Sequence, residues 1–468
     1  ENDRLLILRN TVEGERPAGF VSYREIGNED LFGVLKDMEL AKLVRGKSSR
    51  EILLITGIYA REDGTGDSGV IRDAPQQLLV EVLAKELEKN YSFALFVAER
   101  GTATKEVVYV LERQGFIRPH MADENDKRTI YMVDMHEPLM FLHNLDTTIK
   151  EPFASNPAVL DAVEKNHKKL QIAMTKLYPG NLVLSLSSGI MYHRLVDRIT
   201  ALNDVPREPL VPRRLGKNMC VPFGKILRGK VVPNTVTKTL HTDKVYEPDL
   251  NSFTIEPFPY YSPLKSQIET IKSFDRPVIL VDDLVHTANR LQVLVPQLRE
   301  DGIPIKKVVV GVLSGYGRDL MQCLKVPVES IYSMPNLRQW FVESTLYPFI
   351  GGDTVRREEM KVAGLQPSIN MILPYATPRL SGCSREALVE FSACCIENSR
   401  DLFQVLEAEY RKRYAKTLTL SRLSEAVILP LCPDKGSCME YDENLAASVY
   451  LENDLETLWR MKEFLIKG

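Results

Sequence analysis

The sequence predicts a mixed α/β fold whose last part is mostly helical. Throughout residues 1–350, short apolar runs typical of strands alternate with segments in which apolar residues recur every three or four positions, as in amphipathic helices. The apolar run at residues 278–281 is uninterrupted, which is typical of a strand buried on both faces. Residues 351–468 show mainly the helical periodicity. A chain of 468 residues is long enough for about three domains.

The first segment, residues 1–135, is predicted to be an α/β domain. Its strand candidates lie at residues 5–9, 19–24, 52–59, 93–98 and 129–133. Helical periodicity falls at residues 76–87 and 105–114. Prolines punctuate residues 136–155, so we place a domain boundary there, before a helix at about 157–176.

The middle segment, residues 150–350, is predicted to contain a parallel sheet. Its strand candidates lie at residues 182–186, 278–281 and 307–313, with helices at 190–202 and 290–299. Strands separated by helices require crossover connections, which predict parallel pairing. Ligands of such sheets bind at the carboxyl ends of the strands. We therefore expect the loops that follow these strands to form a site.

Two acids, Asp282 and Asp283, follow the apolar run at residues 278–281. Adjacent carboxylates disfavour each other's ionisation, so such a pair indicates that hydroxyl groups or a cation are held there. Residues 286–289 are small or polar and lead into a helix, where backbone N–H groups and the Thr287 hydroxyl can face a phosphate. The sequence therefore predicts a sugar-phosphate site. The alternative is that the two acids only cap the helix.

Residues 278–290 resemble the binding motif of the type I phosphoribosyltransferases. That motif has four hydrophobic residues, two acids, three variable residues, Thr, Gly, one variable residue and then Thr or Ser. The resemblance implies that Asp282 and Asp283 contact the ribose hydroxyl groups. It also implies that the 5′-phosphate lies in a cradle, with a threonine hydroxyl as donor, formed by His286, Thr287, Ala288 and Asn289.

Two positions of this segment depart from the family motif. Ala288 stands where the family has glycine, and alanine adopts a positive φ only at a cost. Arg290 stands where the family has Thr or Ser, and a guanidinium group is a suitable partner for phosphate. We expect phosphate binding to survive these changes better than the loop geometry of the family.

Residues upstream of this motif are expected to complete the site. The resemblance implies that the loop Ser187, Ser188 and Gly189 binds pyrophosphate. It also implies a mobile basic hood over that group, supplied by Lys225, Arg228, Lys230, Lys238, His241 and Lys244. A solvated hairpin is the alternative for these basic residues. The reaction implied is displacement at the anomeric carbon of phosphoribosyl pyrophosphate, with Mg²⁺ held by pyrophosphate oxygens and by no direct protein ligand.

Residues 106–116, which end in Gly115 and Phe116, are similar to a helix of the GNAT acetyltransferase superfamily, and the order of elements in the first segment is similar as well. The likeness begins at the second strand of that fold. We therefore expect the chain to be a fragment of a larger bacterial multidomain protein with further N-terminal domains. Pro75 and Gln77 occupy the glycine positions of the superfamily's coenzyme A turn. Proline lacks the N–H that would bind pyrophosphate, so acetyl-CoA is not favoured as a ligand.

The composition narrows the classes of function. The net charge of −3 and a pI near 6.3 do not indicate a nucleic-acid-binding protein. No apolar run approaches the roughly 20 residues of a membrane span. The seven cysteines are scattered and contain no CxxC pair, so we expect reduced thiols and a cytoplasmic location. Helical patterns at residues 385–414 and 443–465 suggest a packing or oligomerisation face.

These observations predict three functions. The leading one is a phosphoribosyltransferase-like protein that binds phosphoribosyl pyrophosphate or a 5′-phosphoribosyl nucleotide and transfers phosphoribose to an acceptor with release of pyrophosphate. The second is a regulatory module that senses such a ligand without catalysis. The third is N-acetyl transfer from acetyl-CoA through the first domain. The sequence does not identify the acceptor.

Overall fold

The structure is a computed structural model that describes residues 3–10, 16–48, 50–60, 73–99, 103–119, 128–212, 214–259, 261–357, 364–435 and 441–467. The strands, in chain order, are β1 (Arg4–Asn10), β2 (Arg16–Ile26), β3 (Ile52–Ala60), β4 (Phe93–Glu99), β5 (Arg128–His143), β6 (Asn181–Ser187), β7 (Met219–Pro222), β8 (Val236–Thr237), β9 (Thr242–Tyr246), β10 (Phe253–Pro257), β11 (Val278–Val285), β12 (Ile305–Ser314), β13 (Val328–Met334), β14 (Gln339–Val342), β15 (Asp353–Val355), β16 (Gln366–Ile369) and β17 (Leu431–Pro433). The α-helices are α1 (Leu31–Leu35), α2 (Met38–Lys47), α3 (Ala74–Glu86), α4 (Lys105–Arg113), α5 (Pro157–Leu177), α6 (Ser188–Leu202), α7 (Leu264–Lys272), α8 (Asn289–Glu300), α9 (Gly315–Cys323), α10 (Glu343–Leu346), α11 (Arg385–Tyr414) and α12 (Ala447–Lys467).

These elements confirm the predicted α/β class. The strands and helices predicted for residues 1–135 are present, with ends that differ by a few residues, except that β5 continues far beyond the predicted residue 133. Among the described residues, no helix is both long and apolar enough to cross a membrane.

The chain divides into two compact units. The first contains Glu1–Phe141, Met174–Ser185 and Tyr332–Trp340, and the second contains the remaining residues. This grouping differs from the predicted domains 1–135, 150–350 and 351–468, because the chain returns to the first unit twice and because the C-terminal helices belong to the second unit.

The first unit is built on a seven-stranded sheet with the order β1-β2-β3-β4-β5-β14, in which β6 also pairs with β5. The pairs β1/β2, β2/β3 and β4/β5 are antiparallel, whereas β3/β4 is parallel. Buried apolar side chains of α1 and α2 pack with those of the strands in one core, which includes Leu31, Leu40 and Leu95.

The second unit holds two five-stranded sheets. One has the order β10-β9-β15-β16-β17. The other, which we call the β11 sheet, has the order β13-β12-β11-β7-β8, and its pairs β11/β12, β11/β7 and β7/β8 are parallel. Helix α8 packs on the core of the β11 sheet through side chains spaced three or four residues apart, namely Leu291, Leu294, Val295 and Leu298.

One predicted pairing is wrong. The strand predicted at residues 182–186 is present as β6, but it pairs with β5 in the first sheet. The parallel neighbours of β11 are β12, as predicted, and β7, a short strand that the sequence analysis did not identify. The loop next to the acid pair is therefore the one that follows β7.

Candidate functional site

The acid pair lies within the central strand of the β11 sheet. Strand β11 extends to Val285, so Asp282 and Asp283 are part of the strand and do not follow it. Asp282 is opposite Val310 of β12, and its side chain is buried. Both neighbours of β11 are parallel to it, so the loops beyond these strands meet at one edge of the sheet, as predicted.

The carboxylate of Asp283 holds the turn that follows β7. Its oxygens accept hydrogen bonds from the backbone N–H groups of Lys225 (2.6 Å) and Ile226 (3.0 Å). The turn lies very close to the acids: a Cβ atom on Gly224 would be 2.5 Å from Asp283 Oδ1 and 2.7 Å from Asp282 Oδ1. Only glycine fits at residue 224 without displacing these carboxylates.

The carboxyl group of Asp282 is in a different environment. Its Oδ1 accepts a hydrogen bond from the backbone N–H of Asp283 (2.8 Å), and Arg290 Nη1 is 3.9 Å away. Burial raises the pKa of Asp282 to about 7, an effect that the nearby Arg290 opposes. Near neutral pH the group is therefore both a hydrogen-bond donor and an acceptor.

The turn between β11 and α8 contains a residue with left-handed backbone. Ala288, in the glycine position, is left-handed with φ 49°, and it directly precedes the first residue of α8. Ala288, and neither acid, occupies the cap position of this helix, so the alternative that the two acids serve as its cap is wrong. The Thr287 hydroxyl accepts a hydrogen bond from Asn289 Nδ2 (2.8 Å). The first N–H groups of α8 have no partner within their own helix.

His286 connects β11 to the next strand. Its Nδ1 is 2.8 Å from Ser314 Oγ at the end of β12, and burial lowers the pKa of the imidazole. Ser314 also accepts a hydrogen bond from the backbone N–H of Gly317 (3.0 Å) at the start of α9. A Cβ atom on Gly317 would be 2.2 Å from the carbonyl oxygen of Val285, so this glycine allows α9 to approach β11.

Three cationic side chains lie together beside the acids. Burial lowers the pKa of Lys225, and the charges of Arg228 and Arg290 lower it further, against the opposing effect of Asp353. Burial and the charge of Arg290 likewise lower the pKa of Arg228. Arg228 lies with its guanidinium carbon 5.1 Å from the centroid of the Phe258 ring, and its Nε has no hydrogen-bond partner among the described residues.

The other residues of the predicted hood have separate partners. Lys230 Nζ is 4.4 Å from the centroid of the Tyr192 ring, and Lys244 Nζ donates a hydrogen bond to Tyr246 Oη (2.5 Å). The exposed Lys238 precedes His241, whose ring stacks on that of Tyr261 with a centroid distance of 3.7 Å. Burial, and then the charges of Arg228 and Lys238, lower the pKa of His241.

Two further acids belong to this region and were missed by the sequence analysis. Asp243 on β9 accepts a hydrogen bond from the Thr354 hydroxyl (2.5 Å). Asp353 begins β15, and burial raises the pKa of its carboxyl group, which Lys244 and Lys225 oppose. Neither acid lies in a recognisable motif, and strand pairing between β9 and β15 brings them together.

The predicted pyrophosphate loop begins a helix that follows β6. Ser187 caps α6 by accepting a hydrogen bond from the backbone N–H of Ile190 (3.5 Å), and Ser188 Oγ donates to Asp146 Oδ1 (3.3 Å). Since β6 belongs to the first sheet, the loop Ser187, Ser188 and Gly189 does not follow a strand of the β11 sheet. That part of the prediction assumed the wrong strand neighbour.

In the first unit, an ion pair and two buried residues lie at the start of α3. Asp73 forms an ion pair with Arg113 of α4 (2.5 Å), and Pro75 and Gln76 are buried. Gln77 follows in the helix and donates its backbone N–H to the carbonyl oxygen of Asp73 (3.1 Å). Arg72, the first residue of the predicted coenzyme A turn, lies outside the described residues.

Comparisons with known proteins give only distant likenesses. No family model matches the sequence, and no curated protein matches it. The NatC complex bound to Gag peptide and CoA is 11% identical with a TM-score of 0.20, over 28% of this chain and 70% of the other. FeeM, an N-acyl amino acid synthase from uncultured soil microbes, is 18% identical with a TM-score of 0.20, over 29% of this chain and 74% of the other. A purine phosphoribosyltransferase from Pyrococcus horikoshii Ot3 is 12% identical with a TM-score of 0.22, over 33% of this chain and 87% of the other. Likenesses of this size identify neither family nor function.

Proposed function

We propose that this protein binds a 5′-phosphoribosyl ligand, either phosphoribosyl pyrophosphate or a 5′-phosphoribosyl nucleotide, at the turn between β11 and α8. The observation that carries the proposal is the grouping of Lys225, Arg228 and Arg290 beside the acid pair. The repulsion among these cations is opposed in part by Asp243, Asp283 and Asp353, and a bound phosphate would offset it further. It would also give Arg228 Nε an acceptor.

The turn itself supports binding of the 5′-phosphate. Helix α8 begins directly after the left-handed Ala288, whose methyl group cannot cap the helix, so its first N–H groups can bind an anion. The helix dipole favours negative charge at this end. Thr287 is exposed and adds a hydroxyl group to the same turn. Arg290, the second residue of α8, supplies a positive charge.

The two acids have different roles in this proposal. Asp283 already accepts two backbone hydrogen bonds, so it would position Lys225 and the turn after β7. Asp282 keeps the ability to donate or accept a hydrogen bond near neutral pH, which suits contact with the ribose hydroxyl groups. Mg²⁺ would be bound through pyrophosphate oxygens, an arrangement that needs few protein ligands.

Calorimetric titration with phosphoribosyl pyrophosphate, with and without Mg²⁺, tests the proposal. We expect saturable binding that Mg²⁺ strengthens, and weaker binding of ribose 5-phosphate, which lacks the pyrophosphate group. The proposal would be contradicted if neither phosphoribosyl pyrophosphate, with or without Mg²⁺, nor ribose 5-phosphate bound. If phosphoribosyl pyrophosphate binds, release of pyrophosphate in the presence of a panel of nucleobases would identify a transferase. Binding without release would favour a sensing module.

A further inference from the structure

Two histidines and a glutamate from distant parts of the chain meet in the second unit. His143 is the last residue of β5, His167 lies in α5 and Glu343 begins α10. One nitrogen from each imidazole and one carboxylate oxygen all lie within 4.8 Å of one another. His167 Nε2 is 2.7 Å from Glu343 Oε2, and His143 Nδ1 is 3.9 Å from the same oxygen.

These distances suit a shared metal ion. Zinc binds imidazole nitrogen and carboxylate oxygen at about 2.0–2.2 Å, so ligand atoms around a tetrahedral ion are roughly 3.4 Å apart. The observed nitrogen-to-oxygen distance is shorter than this value for His167 (2.7 Å) and longer for His143 (3.9 Å). Small side-chain rotations would therefore place all three atoms at bonding distance from one ion.

The polar contacts of Glu343 also suit a bound cation. Its side chain is fully buried, and a buried carboxylate is costly unless it is paired or coordinated. Glu343 Oε2 and His167 Nε2 are close, yet neither atom has a hydrogen-bond partner among the described residues. The two groups thus approach each other without the alignment of an ordinary hydrogen bond. An ion bound between them would satisfy both.

Neighbouring side chains hold the three residues in position. The Tyr347 hydroxyl donates to Glu343 Oε1 (3.2 Å) and accepts from Asn398 Nδ2 (2.9 Å). Gln171 Nε2 is 3.0 Å from His143 Nε2, the ring nitrogen that does not face the carboxylate. Metal-binding histidines in proteins are oriented by such a contact at the second nitrogen. The amide of Gln171 would accept the imidazole N–H after exchange of its nitrogen and oxygen positions, which are assigned by hydrogen bonding.

We propose that His143, His167 and Glu343 bind a divalent transition-metal ion, with Zn²⁺ as the probe that tests the site. Two imidazoles and one carboxylate are suitable ligands for zinc and its first-row neighbours, whereas Mg²⁺ and Ca²⁺ favour oxygen ligands. Three protein ligands leave a fourth position of a tetrahedral ion open to water or another small ligand. This proposal is independent of the phosphoribosyl site.

Metal titration of the chelator-treated protein tests the site directly. We expect one equivalent of Zn²⁺ to bind in competition with a chromophoric chelator. Co²⁺ in its place should show the visible bands of a four-coordinate ion without a thiolate charge-transfer band, which distinguishes these ligands from the cysteines. The variants His167→Gln and Glu343→Gln should each lose more affinity than the roughly 10- to 100-fold cost of removing a supporting residue. Gln171→Leu should show that smaller loss.

His193→Gln is the matched control, because His193 is an exposed histidine of α6 outside the cluster. Its zinc affinity should equal that of the unchanged protein. Circular dichroism establishes that each variant is folded, and the use of two ligand variants keeps the test valid if one fails to fold. Zinc binding that is absent, or that His167→Gln and Glu343→Gln leave unchanged, would overturn the proposal.

Discussion

At the scale of single residues, two adjacent carboxylates have different environments. Asp283 is engaged by the backbone of the turn after β7, whereas Asp282 is buried near Arg290. The family motif implies that both contact the ribose hydroxyl groups. In the proposed site, Asp282 would contact the ribose hydroxyl groups and Asp283 would position the turn.

The raised pKa of Asp282 predicts a pH-dependent stability. Its folded-state pKa of about 7 is above the usual value, so between about pH 4 and pH 7 the folded protein holds a proton that the unfolded chain has released. The stability that the folded protein gains from this proton is complete below about pH 4 and is lost as the pH rises through 7. In urea denaturation, the stability of the unchanged protein relative to Asp282→Asn should fall by up to a few kcal/mol between about pH 4 and pH 7, and it should be constant at higher pH.

The exposed Asp319→Asn is the control for loss of one carboxylate in the same unit. If the unchanged protein and Asp282→Asn had parallel stability curves across this range, burial of the Asp282 carboxyl group would not govern its protonation.

The left-handed backbone of Ala288 predicts a second residue-scale result. Glycine would relieve strain of about 1–2 kcal/mol but lose the burial of one methyl group, about 0.8 kcal/mol, so Ala288→Gly should change stability little. Ala288→Val places a β-branched residue in the same conformation and should cost about 2 kcal/mol or more. Chemical denaturation compares the two variants. Equal stability of both would contradict the left-handed turn.

At the scale of elements, the loop after β7 depends on the absence of a side chain at residue 224. Gly224→Ala would place its Cβ atom 2.5 Å from Asp283 Oδ1, so the carboxylates or the turn must move. We expect a loss of about 1–3 kcal/mol in stability, together with weaker binding of phosphoribosyl pyrophosphate. Gly46→Ala is the control, since its Cβ atom in α2 meets nothing within 4 Å and should stabilise the helix by about 1 kcal/mol. Normal binding by Gly224→Ala would show that this turn does not contribute to the site.

The sequence was a good guide to elements and a poorer guide to their pairing. The predicted helices at 105–114 and 385–414 correspond to α4 and α11, because each begins after a side chain that accepts a backbone N–H, Thr104 and Ser384. Strand β6 was predicted with nearly correct ends but in the wrong sheet. Local pattern identifies a strand, whereas its neighbour is decided by contacts distant in sequence.

At the scale of the whole molecule, the candidate sites likewise show that sequence predicts features made of contiguous residues better than contacts between distant ones. The turn at residues 286–290 was predicted because its residues are contiguous. Asp243, Asp353 and the cluster of His143, His167 and Glu343 were not, because strands and helices far apart in sequence bring them together. Single acids and histidines carry no signal until the fold defines their neighbours.

Hydrogen exchange measured along the whole chain should show which of the two units is protected by each ligand. Saturating phosphoribosyl pyrophosphate should slow exchange in the turn after β7 and at the start of α8, because binding stabilises the state that holds the ligand. Coenzyme A should leave exchange at the start of α3 unchanged, since Pro75 lacks an N–H to bind pyrophosphate and Asp73 places a carboxylate at that helix end. Protection of α3 by coenzyme A would instead favour acetyl transfer.

The most direct test of the central claim is the affinity of Arg228→Gln for phosphoribosyl pyrophosphate in the presence of Mg²⁺. Arg299→Gln is the matched control, because Arg299 lies near the other end of α8 and donates a hydrogen bond to the carbonyl oxygen of Leu324 (2.8 Å). Loss of a charged hydrogen bond to phosphate should weaken binding roughly 10- to 100-fold in Arg228→Gln and leave Arg299→Gln unchanged. Equal affinities of the unchanged protein and of folded Arg228→Gln would contradict a phosphoribosyl site at this turn.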